Sequence, residues 1–220
     1  MLEKMDQFFE KRLEGYEEHM LSGIEGAGEF YPFTAGLLPA SGRCEVLDLG
    51  CGTGLELKEY FLRSPKARVT GIDLSEAMLG ALAEQFPDRC ADGRLRLICG
   101  SYFDVPFGTE RYDAAVSVES LHHFTPEQKL PLYRKLRQSL KESGFFILTD
   151  YFAESKELEA EYFRELERLK REQNLSDDVF YHYDTPLTVE HETDVLREAG
   201  FSDVRILKNW AATYTVRAVR

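Results

Sequence analysis

Val46-Leu-Asp-Leu-Gly-Cys-Gly-Thr-Gly54 decides the fold. Its apolar half, Glu45 to Leu49, is too short for a helix and reads as a buried strand. Its second half places glycines at 50, 52 and 54, where a chain must turn sharply and let something approach the backbone. Leu55 to Arg63 then has helical spacing. Outward from this unit the same alternation recurs. Strands are expected at 68–73, 95–99, 112–118 and 145–150, with helices between them from Ser75 to about Phe86 and from Thr125 to about Lys141. Ser143-Gly144 reads as the stop of the latter.

Strands separated by helices build a parallel sheet covered on both faces, and right-handed crossovers make it doubly wound. The fold class is therefore α/β: a doubly wound, mostly parallel seven-stranded sheet with helices on both faces and a helical insertion after the fifth strand. Residues 1–41 form an N-terminal helical segment, with one helix over 1–23, a Tyr31-Pro32 step and a short apolar stretch from Phe33 to Leu38. The core spans 42–150. The insertion spans 151–187, with an apolar stripe of Leu158, Tyr162, Leu166 and Leu169 on a charged helix. Residues 188–220 add a Thr188-capped helix and closing strands at 204–207 and 213–219.

The 220 residues carry 27 basic and 39 acidic side chains, a net charge of −12. That balance argues against a nucleic-acid partner. No apolar run approaches the ~20 residues of a membrane helix, and Met1-Leu-Glu-Lys-Met-Asp lacks the pattern of a signal peptide. Cys44, Cys51, Cys90 and Cys99 show no zinc-ligand spacing. The expectation is a reduced, cytoplasmic protein without a metal. Lys129, Arg134, Lys135, Arg137 and Lys141 read as the solvated face of a sheet-covering helix.

The glycine spacing separates ligand classes. A dinucleotide-binding dehydrogenase reads Gly-x-Gly-x-x-Gly, whereas here Gly-x-Gly-x-Gly is followed by Leu55. No Gly-Lys-Ser/Thr follows, so a P-loop is excluded. Asp48, two residues before the first glycine, would repel a pyrophosphate and suit a cationic ligand. Asp73 ends the second strand, where an acid can accept both hydroxyls of a ribose.

Asp48-Leu-Gly-Cys-Gly-Thr-Gly54, Gly71-Ile-Asp-Leu-Ser75 with Met78-Leu79, Cys99-Gly-Ser-Tyr102, Tyr112-to-Phe124 and Leu140-to-Leu148 together resemble the class I S-adenosylmethionine-dependent methyltransferases. The resemblance covers about 45–150 and, more loosely, 188–220. It implies S-adenosyl-L-methionine as cofactor and a methyl transfer. By this resemblance Gly50, Cys51, Gly52 and Gly54 lie against the methionine part, and Asp48 faces its ammonium. Asp73 holds the ribose, Leu74 and Met78 pack on the adenine, and the loop Gly100-Ser101-Tyr102 touches its edge. Ser101 stands where many relatives carry Asp. Val118 and Glu119 line the methionine side, and Tyr31 lies over the carboxylate.

The acceptor side is less determined. His122 and His182 are candidate catalytic residues. His123, Asp150, Tyr151 and Tyr183 are candidates for holding the acceptor. His122 and His123 follow the fourth strand at the edge where ligands bind, and equally can fix the loop by hydrogen bonds. Asp150 can bind an amine or cap a turn. Tyr181-His-Tyr-Asp184 can form a lid or a solvated loop. The expected partner is a small-molecule acceptor, in a monomer or homodimer, without nucleic acid or membrane. A tRNA-modifying methyltransferase of the same fold and a cofactor-binding protein without methylation are the alternatives.

Overall fold

The computed structural model describes residues 1–40 and 42–220. The boundary expected at 41 falls on Ser41, outside the described residues. In chain order the elements are α1 (Met5–Lys11), α2 (Tyr16–Gly23), α3 (Ala27–Leu37), β1 (Glu45–Leu49), α4 (Leu55–Arg63), β2 (Arg68–Asp73), α5 (Glu76–Gln85), α6 (Pro87–Ala91) and β3 (Leu95–Cys99). Then follow β4 (Tyr112–Val118), α7 (Pro126–Ser139), β5 (Leu140–Tyr151), α8 (Lys156–Glu172), α9 (Val189–Glu198), β6 (Ser202–Trp210) and β7 (Thr213–Val219).

The seven strands form one sheet in the order β3-β2-β1-β4-β5-β7-β6. Neighbours from β3 to β5 are parallel; β7 is antiparallel to both β5 and β6. Strand order reverses between β1 and β4, and a ligand crevice opens beyond the carboxyl ends of strands at such a point. Consecutive β1 side chains face opposite layers. Val46 joins a core with Phe30, Leu57 and Phe61 on the α3/α4 side. Leu47 and Leu49 join Leu132, Leu136 and Leu196 on the α7/α9 side. A Leu47→Ala change would cost about 2–5 kcal/mol, because both layers are closed over the strand.

Caps fix the helices that lead into the crevice. Ser75 Oγ accepts from Met78 N at 3.2 Å, and Thr125 with Gln128 forms a reciprocal capping box. Thr188 caps α9.

Several expectations are corrected. The single helix over 1–23 is two helices, because Gly15 takes φ +81° between them. Apolar spacing ran through this break unchanged. The Tyr31-Pro32 step is the interior of α3. Pro32 lies past the first turn and leaves one carbonyl without its amide, yet the helix continues to Leu37. The helix from Thr125 stops at Ser139 rather than Lys141, and Ser143-Gly144 belongs to β5. Pairing jumps from Tyr112↔Leu140 to Ala114↔Phe145, so residues 141–144 bulge out of the ladder. β6 is longer than 204–207, and its largely exposed edge position hides the alternation that would have marked it. The basic run is not a uniformly solvated face. Lys129 is 1% exposed and paired with Glu192, and Lys135 Nζ donates to the carbonyls of Tyr102, Phe103 and Val105.

Candidate active site

The loop after β1 is held to β2 by Gly50 N and Cys51 N, which donate to the Ile72 carbonyl at 2.8 and 3.2 Å. Asp73 ties the same loop from the end of β2. Its Oδ2 accepts from Gly52 N and its Oδ1 from Ser75 N, both at 2.9 Å. Burial pushes its carboxyl pKa up, against the pull of these backbone amides. Two glycines are required for different reasons. At Gly54 (φ +77°) a Cβ would sit 2.5 Å from Leu82 Cδ1 of α5, so that buried side chain would have to shift. At Gly52 (φ +46°) a Cβ would point into open space, with the Tyr16 hydroxyl nearest at 3.8 Å.

That space is a cavity of about 50 Å³. Gly50, Gly52, Asp73, Leu74, Met78 and Tyr102 form its floor and walls, and Met5, Phe9 and Tyr16 roof it. Glu119 and Ser120 close one end. Tyr31, Asp48, Cys51, Gly54, Gly100, Ser101 and Val118 do not border it. Tyr31 is buried against Phe30 in α3. Ser101 Oγ accepts from Phe103 N at 3.1 Å, and Gly100 N donates to the Asp73 carbonyl. Cys51 and Val118 are buried core residues.

Asp48 lies under the loop at 1% exposure, and its carboxyl has only that of Glu56 beside it, a pairing that needs a proton between the two acids. Burial first, and the neighbouring Glu56 carboxyl second, raise its pKa well above the carboxylate range. Glu56 Oε1 is likewise buried. An acid pair beneath a glycine cradle disfavours an anionic ligand and is compatible with one carrying a positive charge, with Asp48 standing behind the cavity wall. S-adenosylmethionine has such a charge, a ribose for Asp73 and an adenine for the Leu74–Met78 face. The donor set therefore fits this cofactor. Small-ligand sites span roughly 300–1,000 Å³, so the smaller cavity by itself holds only part of such a molecule.

A second cavity, about 680 Å³, lies beyond the first. Phe9, Tyr16, Glu119 and His123 border both. Residues of α1, α2 and their flanks line one side of the larger cavity, both apolar or aromatic (Phe8, Phe9, Tyr16, Met20) and polar (Lys11, Arg12, Glu14, His19), and His122, His123, Tyr151, His182 and Asp184 line the other. Glu119 follows β4 in the left-handed region (φ +48°), held by its amide to Thr149 and by the Thr213 hydroxyl on Oε1. Such backbone in a non-glycine residue costs about 1–2 kcal/mol and concentrates at functional sites. Burial and nearby Asp150 raise the Glu119 pKa to about 8.

His122 Nδ1 meets Asp150 Oδ1 at 2.5 Å, and Asp150 Oδ2 accepts from Leu121 N. His122 Nε2 lies 3.6 Å from Asp184 Oδ1, and His123 Nδ1 lies 3.2 Å from the same oxygen. Burial lowers the His122 pKa, but Asp150, Asp184 and Glu119 outweigh it and push it up to about 9. Burial and the His122 charge depress His123. His182 falls to about 4 by burial and by facing His123. Its ring stacks on Phe8 at 3.4 Å and 6°. Tyr183 contributes its carbonyl, 3.3 Å from His123 Nδ1, and its ring borders neither cavity. Tyr151 does border the larger one, with its hydroxyl 3.2 Å from that of Tyr162.

The roof is made by two distant segments. Met5 N donates to the Phe180 carbonyl and His182 N to that of Glu3, so residues 3–5 pair with 180–182. Leu2 N donates to Gln173 Oε1, and Thr185 N to the His122 carbonyl. Sequence reasoning missed Met5, Phe9, Tyr16 and Asp184 as site residues. The first three looked like the core stripe of a helix, and only Asp184 stood inside a cluster singled out in advance.

Residues 46–144 match a family model described as a methyltransferase domain. The chain is 30% identical over 106 residues to erythromycin 3''-O-methyltransferase of Saccharopolyspora erythraea, covering 48% of this chain and 34% of that one. It is 41% identical over 68 residues to trans-aconitate 2-methyltransferase of Deinococcus radiodurans, covering 30% and 26%. The chain thus spans a third of the first relative's length and a quarter of the second's. Its fold is shared with an O-methyltransferase family 2 protein from Planctomyces limnophilus solved with apigenin, at TM-score 0.68 and 19% identity over 98% of this chain and 62% of that one. No helix among the described residues is long and apolar enough to cross a membrane.

Proposed function

Because the chain carries a class I S-adenosylmethionine-dependent methyltransferase domain, we propose that it methylates a small molecule held in the larger cavity. The observation that carries this reading is the shared wall. Phe9, Tyr16, Glu119 and His123 belong to both cavities, so a ligand in one abuts a ligand in the other.

When bound, the cofactor supplies a sulfonium methyl that is already a strong electrophile. The chain's own work is orientation and exclusion of water. Gly52 leaves the loop backbone open to the methionine part. Asp73 uses one lone pair of each oxygen on the loop amides and keeps others for ribose hydroxyls. Leu74 and Met78 give an apolar face for the adenine. Phe9 and Tyr16 cover the junction. The His122–His123–Asp184 group is the polar end of an acceptor cavity whose opposite side combines apolar Phe8, Phe9, Tyr16 and Met20 with exposed Lys11, Arg12, Glu14 and His19. It can hold the acceptor's hydroxyl, carboxyl or amine and receive any proton it must lose. The acidic chain favours a small molecule over RNA.

The test has two stages. Calorimetry should show one S-adenosylmethionine bound per chain. Mass spectrometry should then detect its demethylated product in the presence of a panel of small hydroxyl and carboxyl compounds. A folded protein with no affinity for the cofactor would refute the reading.

A further inference from the structure

Three side chains at the polar end of the larger cavity have the spacing of a cation's ligands. His122 Nε2 stands 3.6 Å from Asp184 Oδ1, and His123 Nδ1 stands 3.2 Å from it. Ligand atoms of all three residues lie within 4.8 Å of one another. Around tetrahedral Zn²⁺, with bonds of about 2.0–2.1 Å, neighbouring ligand atoms are roughly 3.3–3.4 Å apart. The two distances to Asp184 already approximate edges of that tetrahedron.

The surroundings are also those of a ligand set. His122 Nδ1 is engaged by Asp150, which is itself fixed by the Leu121 amide. A carboxylate on the far nitrogen of a ligating histidine orients the ring and leaves the lone pair on the other nitrogen. Here that other nitrogen faces Asp184. The two ligand segments are tied by the Thr185 amide on the His122 carbonyl. The Asp184 side chain is 48% exposed, which gives an entry path.

We propose that His122 Nε2, His123 Nδ1 and Asp184 bind a divalent first-row cation of the zinc type, with an open position toward the cavity; the cation displaces the proton that His123 Nδ1 directs at the Tyr183 carbonyl and Asp184 in the metal-free chain. Two imidazoles and one carboxylate with a vacant side make the donor set of an open site, where a closed structural site has four protein ligands. The open position takes an oxygen or nitrogen lone pair of a molecule in the cavity. His123 borders both cavities, so that lone pair is held beside the cofactor side. The site rests on geometry alone; its use in orienting an acceptor rests on the methyl-transfer reading. The four cysteines take no part, which is why ligand spacing in the sequence did not show it.

The full chain, stripped with EDTA, is titrated with zinc chloride by calorimetry, and bound metal is counted after gel filtration. One equivalent should bind with Kd at or below about 1 µM. Asp184→Ala and His123→Ala should each weaken binding by about 100-fold. His191→Ala, on α9 and paired with Glu159, should leave it unchanged. Loading with Co²⁺ should give ligand-field bands that Asp184→Ala abolishes; Asp184 is partly exposed, and a thermal melt checks that the variant folds. No saturable binding at about 100 µM zinc would overturn the site, since even a weak specific site would show there. Equal affinity in Asp184→Ala would also overturn it. These arms contain no S-adenosylmethionine. Failure of zinc to bind therefore leaves methyl transfer standing. Failure of the cofactor to bind zinc-loaded protein removes methyl transfer and leaves the cation site.

Discussion

The cofactor side is built from backbone between Gly50 and Met78, on two neighbouring strands and their loops. The acceptor side gathers side chains from α1, α2, the end of β4, the end of β5 and the loop at 182–184. The first is specified by glycine positions and amide–carboxylate bonds of ordinary length. The second is specified by charge, and its parts oppose one another. His122 and His123 are adjacent and equally enclosed, yet one is raised to about 9 and the other is depressed. The difference lies in partners. His122 has Asp150 on one nitrogen and Asp184 on the other, whereas His123 faces the charge of His122 with a share in Asp184 alone. A backbone site tolerates change in its neighbours; a charge cluster does not.

The sharpest way to break the backbone half is Gly52→Val. Its Cβ would meet nothing nearer than 3.8 Å, so the fold should survive at a cost of about 1–2 kcal/mol for its φ. The added side chain fills the small cavity, and calorimetry should show cofactor affinity falling at least about 100-fold, or 2.7 kcal/mol. A normal affinity would place the cofactor elsewhere. Asp73→Ala comes next, with an expected loss of at least about tenfold, or 1.4 kcal/mol. It also strips two backbone amides of their acceptor, so thermal stability should drop with affinity. Affinity lost at constant melting temperature would mean that Asp73 touches ligand and does not brace the loop.

The same contrast explains what was legible. β1, α4, β2, β3, β4 and β7 begin and end at the residues expected, because a buried parallel strand and a glycine stop are local signals. The motif at 48–54 and Asp73 are joined by the Gly52 amide across one strand-helix-strand unit. The acceptor side depends on contacts between segments 60 to 171 residues apart. Leu2 reaches Gln173, and His123 reaches the Tyr183 carbonyl. Periodicity marks Phe9 and Tyr16 as apolar but cannot say that the surface they cover is a ligand cavity. Nor could it show that Asp48 would stand beneath the loop, beside Glu56, rather than at the cavity wall.

The roof offers an intermediate effect. His182→Ala removes the ring stacked on Phe8 and one wall of the larger cavity. Aromatic pairs of this kind contribute about 0.5–1.5 kcal/mol, or roughly 2- to 12-fold. That loss should fall on acceptor KM, with cofactor affinity unchanged, in steady-state assays against direct titration. Equal losses on both sides would show that the two cavities share the roof more fully than their common wall implies.

The smallest effect is a gain. Asp48 is buried with only the Glu56 carboxyl beside it, so an ionised carboxylate there is opposed by both burial and charge. In Asp48→Asn the amide cannot ionise and can donate to Glu56 Oε1. The folded-state pKa of Asp48 lies above its unfolded value, near 3.9. The folded wild type therefore binds more protons than the unfolded chain between those values, and it loses stability as pH rises through them. The variant lacks that loss. Its melting temperature should nearly match the wild type's at pH 4 and exceed it increasingly toward pH 8, by a few degrees for each ~1 kcal/mol regained. A difference that is constant with pH would mean that Asp48 keeps its charge in the folded state. The acid under the loop would then be held charged by a group other than Glu56.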